Sequence, residues 1–324
     1  MKAFVTGGTG FIGSHLVDAL LEQYPDSPPR CLIRSDMRWL KGKPIEPVHG
    51  DLFDENAILE GLKGCDTLFH LAAILKAPTQ EALDRVNVEA TERLFQLALK
   101  AGVQRVLILS SLAASGPSKG RPRIETDTPV PTSMYGISKW AMEKRIHECA
   151  PTGLPVTLIR PPVVYGPRED QVYTWFQMVN RGICPIVGRG ESPKLSMVHV
   201  SDLVEGTLTA AKTDRDGVST YFLTGPEIAN WNRLRDLTLT LLDKKAVTLY
   251  VPPSWVRRLA AVTETTAGWF GHYPVFNREK ADEMILEWTC SSDLATQELG
   301  YSPRYTLDNG FKETLQWYQE KEWL

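Results

Sequence analysis

With 324 residues, of which 43% are hydrophobic and 23% charged, the chain has the composition of a globular protein with a large core. Its net charge of −3, without a basic run, gives no support for nucleic acid binding, and no apolar run approaches the length of a membrane span. Five widely spaced cysteines without a CxxC pair predict reduced thiols in a cytoplasmic protein that has no metal site, and since strand-like sequence begins at Lys2, no signal peptide is expected.

Strands and helices alternate along the first half of the chain. Apolar runs predict strands at residues 2–5, 30–34, 44–48, 67–71, 105–110 and 156–160. Apolar residues at helical spacing predict helices at 11–24, 56–62, 80–101 and 134–149, the last of them after a polar, Pro- and Gly-rich loop at 116–133. Such nearly continuous aliphatic strands are typical of a parallel sheet covered on both faces. The pattern predicts an α/β fold with a doubly wound parallel sheet, the Rossmann architecture.

The alternation loosens after Tyr165. One helix near 173–180 lies between loops, and short strands at 195–200 and 220–224 flank a helix at 202–211. The remainder, from 226, is mostly helical and rich in Trp. We therefore predict a Rossmann domain of residues 1–165 plus about 195–225, and a smaller, mostly helical substrate-binding lobe of about 166–194 plus 226–324.

Gly7, Gly10 and Gly13 recur at three-residue spacing on the first strand-to-helix turn, which reads Thr-Gly-Gly-Thr-Gly-Phe-Ile-Gly over residues 6–13. Gly7 permits the tight turn, Gly10 lets the backbone approach phosphates, and Gly13 lets the helix pack close to the strand. Backbone N–H groups at the start of a helix attract anions. The Rossmann domain is therefore predicted to bind a dinucleotide through its pyrophosphate.

A second constellation consists of Tyr135, Lys139 and a serine pair. Tyr135 and Lys139 lie four residues apart in a predicted helix and so share a face. A neighbouring ammonium, together with the positive ring of an oxidised nicotinamide, favours the phenolate, which allows proton transfer at neutral pH. Ser110 and Ser111 follow an aliphatic strand, at the sheet edge where ligands bind in open α/β folds. A serine that merely caps the strand end is the structural alternative.

Together these features resemble the extended short-chain dehydrogenases/reductases, the NAD-dependent epimerase/dehydratase type. The resemblance covers residues 1–225 well and is weaker afterwards. The motifs that carry it, in family order, are the glycine turn at 6–13, Gly50-Asp51-Leu52, His70-Leu71-Ala72-Ala73, Ser110-Ser111, Tyr135 with Lys139, Arg160-Pro161-Pro162-Val163 with Tyr165-Gly166-Pro167, and His199 with Asp202.

The resemblance implies roles for individual residues. Tyr135 would transfer the proton, and Lys139 would hold the nicotinamide ribose and lower the tyrosine pKa. Ser111, five residues before Gly116 as in the family, would be the catalytic serine. Asn87 also matches a family residue, although a bracing role in its helix is the preferred interpretation. The implied cofactor contacts are Gly7, Gly10, Phe11, Ile12, Gly13, Arg34, Asp51, Leu52, Leu71, Ala72, Ala73, Tyr135, Lys139, Pro161, Pro162 and Val163.

The end of the second strand indicates NADP as the cofactor. An acidic residue there binds the ribose 2′-hydroxyl of NAD, whereas an arginine accommodates the 2′-phosphate of NADP. Arg34 is placed like the arginine of NADP-using reductases in the family. Asp36, two residues further, keeps NAD as the alternative.

Departures from the family pattern narrow the reaction. Sugar-nucleotide dehydratases carry an acidic residue just after the catalytic hydroxyl, where this chain has Leu112 and Ala113. Sugar-nucleotide enzymes also carry an Asn at the position of Val163. The pattern is closer to the branch of dihydroflavonol reductases and 3β-hydroxysteroid dehydrogenases, which act on bulky, rather apolar alcohols and ketones.

The segment at 251–276 places Trp255, Leu259, Val262, Thr266, Trp269 and Phe270 at helical spacing, next to Arg257 and Arg258. A helix packed on the substrate lobe is the preferred interpretation. An apolar wall or lid for a lipophilic substrate, with a peripheral contact to a membrane surface, is the alternative.

These observations predict an NAD(P)-dependent oxidoreductase that interconverts a secondary alcohol and a ketone on a medium-sized, partly apolar substrate resembling a sterol, flavonoid or lipid. A nucleotide-sugar epimerase with tightly bound NAD is the alternative, and a cofactor-sensing regulator is disfavoured because the Ser/Tyr/Lys set is intact. A homodimer through the helices at 80–101 and 134–149 is expected by analogy with the family.

Overall fold

A seven-stranded parallel sheet, covered by helices on both faces, forms the first two thirds of the computed structural model, which describes residues 1–213, 215–269 and 278–324. The strands are β1 (Ala3–Thr6), β2 (Arg30–Ile33), β3 (Glu46–His49), β4 (Thr67–His70), β5 (Arg105–Leu109), β6 (Pro155–Arg160) and β10 (Gly217–Phe222). Their order in the sheet is β10-β6-β5-β4-β1-β2-β3, and every neighbouring pair is parallel. The order reverses between β1 and β4, which is where dinucleotides bind in folds of this class.

Helices connect these strands as the sequence predicts. They are α1 (Phe11–Gln23), α2 (Glu55–Leu62), α3 (Gln80–Asp84), α4 (Ala90–Lys100), α5 (Leu112–Ser115), α6 (Met134–Cys149) and α8 (Val200–Ala210), with a 3-10 turn at Arg38–Leu40. The predicted strands and helices up to residue 160 are present within two residues of their expected bounds. The predicted helix at 80–101 is interrupted, because α3 and α4 are joined by a π-helical turn at Arg85–Glu89.

Alternate residues of β1 show why both faces of the sheet are covered. Ala3 and Val5 pack with Leu16 and Leu20 of α1, whereas Phe4 packs on the other face with Ile58 of α2. All of these side chains are buried. A strand that buries both faces needs apolar residues at consecutive positions, which is the aliphatic pattern of the sequence.

The later part of the chain contains two small sheets that the sequence pattern did not reveal. The elements are β7 (Val163–Tyr165), α7 (Gln171–Asn180), β8 (Ile183–Val187), β9 (Lys194–His199), β11 (Ile228–Asn230), α9 (Trp231–Leu242), β12 (Val247–Val251), α10 (Pro253–Trp269), α11 (Arg278–Ile285), α12 (Asp293–Leu299) and α13 (Leu307–Glu320). Strand β9, predicted at 195–200, pairs with β7 and β11 instead of the central sheet. Strand β8 lies in a segment predicted to hold a single helix, and it pairs with β12 about sixty residues later.

A separate apolar cluster holds these elements together, with Phe176 of α7, Ile186 of β8, Leu237 of α9 and Phe311 of α13 at its centre. The proposed division into two lobes stays a prediction. In the described part of the chain, no helix combines the length and hydropathy that a membrane crossing requires.

Candidate active site

The glycine turn leaves β1 in a conformation that only glycine fits. Gly7 has a φ of +76°, and a Cβ there would stand 2.5 Å from the backbone nitrogen of Ala72. A Cβ at Gly13 would stand 2.1 Å from the carbonyl oxygen of Gly7. The turn is closed by a hydrogen bond from the Gly10 N–H to the Gly7 carbonyl, at 3.0 Å. The turn is thus packed tightly against α1 on one side and the end of β4 on the other.

The start of α1 has the properties of an anion site. Gly10 precedes the helix without a side-chain cap, and the first turn carries no acidic residue. The N–H groups at Phe11, Ile12 and Gly13 lack intrahelical acceptors, as at any helix start. A Cβ at Gly10 would meet only one atom, at 3.3 Å, so this position is open to a ligand. These features fit the pyrophosphate of a dinucleotide.

The other residues predicted to contact the cofactor follow the carboxyl ends of neighbouring parallel strands. Arg34 follows β2, Asp51 and Leu52 follow β3, Leu71, Ala72 and Ala73 follow β4, and Pro161, Pro162 and Val163 follow β6. Arg34 and Asp51 are exposed, and one Asp51 oxygen accepts the Phe53 N–H at 2.8 Å. Because all of these strands run parallel, their carboxyl ends meet at one edge of the sheet, which brings these residues to the same side of the molecule as the glycine turn.

His70 fixes the end of β4 beside that turn. One ring nitrogen lies 2.6 Å from the Thr6 hydroxyl at the end of β1, and the other lies 2.9 Å from the Thr91 hydroxyl on α4. Burial, with a smaller contribution from the nearby Lys139 ammonium, lowers the pKa of His70 to about 3. The ring is therefore neutral at physiological pH and acts as a hydrogen-bonded strut between two strands and a helix.

Ser111 and Ser110 point to different partners. The Ser111 hydroxyl caps α5 by accepting the Ala113 N–H at 3.1 Å, and it lies close enough to the Tyr135 phenol to act on the pKa of that phenol. The Ser110 hydroxyl donates to the buried carboxylate of Glu143. The structure therefore brings Ser111, and not its neighbour, to the tyrosine. Ser111 also has a capping role, although it caps the start of α5 and not the end of a strand, and this cap orients the hydroxyl.

Burial raises the pKa of Tyr135 well above its ordinary value, Glu283 adds to the rise, and only the hydrogen bond to Ser111 opposes it. The sequence predicts the opposite direction, through a nearby ammonium and the positive ring of an oxidised nicotinamide. Among this chain's own groups, desolvation of the phenolate outweighs the favourable contacts. The lowering with the cofactor bound stays a prediction. At neutral pH, Tyr135 is therefore a protonated phenol that can donate a proton.

Lys139 is buried on the same face of α6, and its ammonium donates to the Leu109 carbonyl oxygen at 2.7 Å. Burial lowers its pKa to about 8, and the Glu143 carboxylate opposes that shift. The lysine is therefore tied to the end of β5, directly before the two serines. It bears its charge at neutral pH and loses it in mildly alkaline solution.

Asn87 has the bracing role that the sequence interpretation preferred. Its side-chain oxygen accepts the Ile74 N–H at 3.0 Å, and its amide donates to the Ile74 carbonyl at 2.9 Å and to the Ser138 hydroxyl at 3.0 Å. Asn87 lies in the π-helical turn, which aims its side chain between α6 and the loop after β4. That loop begins with Leu71, so Asn87 holds a predicted cofactor segment against the tyrosine helix.

Two buried residues near the site, Glu143 and Arg160, were given no role by the sequence analysis, which did not name Glu143 and named Arg160 only as the first residue of a motif. Glu143 stands four residues after Lys139, so the helical spacing that linked Lys139 to Tyr135 contained the signal. Arg160 ends β6 immediately before Pro161. Their side chains form an ion pair that is nearly inaccessible to solvent.

Comparison with known proteins is consistent with this geometry. A family model described as the NAD dependent epimerase/dehydratase family matches residues 3–223. The structure of a double mutant of DesIV, a dTDP-glucose 4,6-dehydratase from Streptomyces venezuelae, was solved with NAD bound. It superposes with a TM-score of 0.80 at 26% identity, over 100% of this chain and 98% of that one.

Two related proteins are named as reductases. Ceramide reductase of Caulobacter vibrioides is 28% identical over 99% of this chain and 95% of its own length. A ketoreductase of Stigmatella aurantiaca, named for 4-hydroxy-2-methyl-3-oxo-4-farnesyl-3,4-dihydroquinoline-1-oxide, is 29% identical over 96% of this chain and 94% of its own length. The similarity therefore extends beyond the Rossmann part into the C-terminal region.

Proposed function

The chain belongs to the NAD dependent epimerase/dehydratase family, and from this premise we propose that it is an NADP(H)-dependent oxidoreductase that reduces a ketone to a secondary alcohol on a medium-sized, lipophilic substrate. The observation that carries the proposal is the proximity of the Ser111 hydroxyl to the Tyr135 phenol, one helical turn from the buried ammonium of Lys139. These groups lie at the end of β5. The neighbour of β5 in the sheet is β4, and the segment that follows β4 contacts the glycine turn.

The dinucleotide would lie on the glycine turn and the start of α1, and when bound it supplies hydride to the substrate carbon. Tyr135 donates its proton to the carbonyl oxygen as that oxygen gains charge. The Ser111 hydroxyl donates a hydrogen bond to the same oxygen. The positive charge of Lys139 stabilises the phenolate that remains. A phenol that stays protonated at neutral pH favours the reducing direction, since the proton is available when the reaction begins.

An apolar substrate agrees with the residues around the serine and the end of β6. Leu112 and Ala113 follow Ser111, so no carboxylate stands there to assist dehydration. Val163 is 40% exposed and presents an aliphatic side chain where a sugar-binding enzyme would need a hydrogen-bonding group. The two related reductases are named for a ceramide and a farnesylated quinoline oxide, both of which are lipophilic.

NADP is the proposed cofactor, although the solved relative contains NAD. Arg34 is exposed at the end of β2. Asp36, the residue that kept NAD as an alternative, accepts the Arg38 N–H at 3.0 Å with one carboxylate oxygen. Its carboxylate therefore serves the local turn, which leaves Arg34 as the residue suited to a 2′-phosphate.

Replacing Arg34 with alanine is expected to weaken NADPH binding by about tenfold to a hundredfold, since a charge-assisted contact contributes about 1.5–3 kcal/mol. NADH affinity should change by less than about threefold, because NADH has no 2′-phosphate. Titration of protein fluorescence with each nucleotide measures both. Arg181→Ala, which removes an exposed arginine at the end of α7, is the matched control. Equal losses for NADH and NADPH would overturn the assignment of NADP.

A nucleotide-sugar epimerase with tightly held NAD is the second candidate, and the family name and the bound NAD of DesIV favour it. Such an enzyme would retain its cofactor through purification and would consume no added nicotinamide nucleotide. Acid release of nucleotide from the purified protein, followed by chromatography, distinguishes the two candidates.

The exposed side chains of helix α10 support the proposal that the lipophilic substrate is taken from a lipid surface. Trp255, Leu259 and Val262 are 55%, 51% and 60% exposed, whereas Val256 and Ala260 on the opposite side are buried. The prediction that this segment forms a packed helix therefore holds for only one face of α10. The side chain of Trp269, and Phe270 with the rest of the segment to 276, lie outside the described residues.

Basic residues accompany this outer face. The Arg258 guanidinium lies 5.7 Å from the centre of the Trp255 ring, and Arg257 pairs with Asp282 of α11. Apolar and aromatic residues combined with arginine are typical of helices that rest in the interface of an anionic bilayer. We therefore propose that α10 contacts such a bilayer.

The double variant Trp255→Ser, Leu259→Ser is expected to reduce binding to vesicles of phosphatidylglycerol and phosphatidylcholine by about tenfold or more, because each side chain contributes about 1.5–3 kcal/mol when buried. Sedimentation with the vesicles measures this. Turnover of a water-soluble ketone should be unchanged. Ile228→Ser, which removes a side chain of similar exposure on β11, should have no effect on vesicle binding. Equal vesicle binding by all variants would refute the membrane contact.

A further inference from the structure

Glu143 is a fully buried carboxylate next to the proposed catalytic groups, and the reaction described above gives it no role. It lies on α6, four residues after Lys139 and eight after Tyr135. Residues at this spacing lie along one face of a helix. The three ionisable side chains therefore form a row that runs from the partly exposed tyrosine into the interior.

The carboxylate is held by charged and polar partners. Arg160 donates from Nε to one oxygen at 2.9 Å and from a terminal nitrogen to the other oxygen at 2.5 Å. The Ser110 hydroxyl donates to the first oxygen. Arg160 is itself buried, with its guanidinium 5.5 Å from the centre of the Phe222 ring. Both oxygens of the carboxylate are thus occupied by charge-assisted hydrogen bonds.

Each partner of Glu143 adjoins a segment of the proposed site. Ser110 precedes Ser111, the hydroxyl that contacts Tyr135. Arg160 precedes Pro161, whose carbonyl accepts the Leu112 N–H at 2.9 Å. Lys139 is one helical turn away and is anchored to Leu109 at the end of β5. One carboxylate thus links the ends of β5 and β6 to the helix that carries the tyrosine and the lysine.

We propose that Glu143 is a positioning residue for the reaction: through Ser110 and Arg160 it sets the two strand ends against α6, and its negative charge keeps the buried Lys139 an ammonium. This inference rests on the proposed function, because that function gives Lys139 the tasks of holding the nicotinamide ribose and stabilising the phenolate. A purely structural ion pair would stabilise the fold without influencing the lysine.

The electrostatic surroundings of Lys139 make the two roles separable. Burial lowers the pKa of Lys139 to about 8, and the Glu143 charge acts against that lowering. Tyr135 faces it from the same helix, His70 faces it from β4, and Arg160 lies beyond the carboxylate on β6. Further out, Arg123 and Glu125 are within electrostatic reach of Arg160. His70 is neutral at physiological pH, so Glu143 is the anion nearest to the lysine among these groups.

The test uses Glu143→Gln, which keeps the shape of the side chain and removes its charge. NADPH and NADH are titrated against the full-length protein between pH 6 and 10 by fluorescence, and turnover is followed over the same range. In the wild type, cofactor affinity should fall as pH rises through about 8, when Lys139 loses its proton. In Glu143→Gln, this fall should move to lower pH by about one unit, so that at pH 8 the affinity is several-fold weaker.

Two further variants separate charge from packing. Glu143→Asp retains the charge and should keep the alkaline fall near its wild-type pH, even if it lowers thermal stability. Glu169→Gln removes the charge of another buried carboxylate, which caps α7 through the N–H groups of Gln171 and Val172. It should lower stability without moving the pH profile.

Each outcome decides between the interpretations. If Glu143→Gln binds cofactor with the wild-type pH profile, Glu143 is only structural and the inference is wrong. If the wild-type protein binds neither nucleotide, the proposed function itself fails. If Glu143→Gln does not fold because Arg160 is left unpaired, the double variant Glu143→Gln, Arg160→Gln removes both charges. A smaller shift to lower pH is then expected, because loss of the more distant Arg160 cation acts in the opposite sense. An unshifted profile in that variant would also overturn the inference.

Discussion

Tyr135→Phe is expected to lower turnover by about 10²- to 10⁴-fold, the range that a positioned proton donor contributes. Phenylalanine keeps the ring and its packing on α6 but has no proton to give, and Ser111 loses its partner. Cofactor affinity should stay within about threefold of the wild type, since the ribose contact proposed for Lys139 is retained. Steady-state kinetics and nucleotide titration measure the two effects separately.

Tyr221→Phe provides the matched control for this prediction. Its hydroxyl donates to Glu298 at 2.7 Å from β10, the outermost strand of the central sheet. Loss of that bond should cost about 1 kcal/mol of stability and leave turnover unchanged. Substantial turnover by Tyr135→Phe would remove the tyrosine from the mechanism, and the proposed reaction would fail with it.

Gly13→Ala is expected to destroy dinucleotide binding. The new Cβ would lie 2.1 Å from the Gly7 carbonyl oxygen, 2.8 Å from the Gly7 carbonyl carbon and 2.9 Å from the Gly8 Cα. All of these are backbone atoms, so α1 must move away from the turn. We expect a loss of about 1–3 kcal/mol in the free energy of unfolding, as for other overpacked sites. NADPH and NADH affinities should fall by more than about tenfold, since the helix start that holds the pyrophosphate is displaced.

The control for this change is Gly102→Ala, at a turn after α4. Gly102 has a φ of +79°, and a Cβ there would meet no atom within 4 Å. Alanine should cost about 1 kcal/mol through backbone strain alone and leave nucleotide affinity unaltered. Thermal unfolding and nucleotide titration of both variants separate the effect of strain from that of the clash. Wild-type affinity in Gly13→Ala would show that the turn does not bind the cofactor.

The first half of the fold could be predicted because its signals are local. Strand β5 is aliphatic after its first residue, Arg105. Helix α6 begins at Met134 and ends at Cys149 as its spacing indicates, and the glycines mark the turn after β1. The pairing of β8 with β12 and the place of β9 in a smaller sheet escaped prediction. These strands are short, and their partners lie far away in the sequence, so no local pattern specifies them.

The candidate site divides in the same way. Tyr135 and Lys139 were identified from residue type and spacing, and Ser111 from the resemblance to the family; the structure places Ser111 next to Tyr135. The raised pKa of Tyr135 in the protein alone was not predicted, because spacing shows that a lysine is near but does not show how deeply a phenol is buried. Glu143 escaped notice, and Arg160 was noted only within a motif, because a charged residue in a sequence is ordinarily taken to face solvent.

The sequence by itself determined the family, the succession of the central strands and helices along the chain, and the chemical groups available for the reaction. These depend on residue type and on neighbours along the chain. Only the tertiary structure decided that Ser110 binds a buried carboxylate, that this carboxylate links three segments of the site, and which way the tyrosine and lysine pKa values move in the protein alone. The physical reason is that desolvation and ion pairing depend on what surrounds a group in space, and strands distant in sequence supply those surroundings.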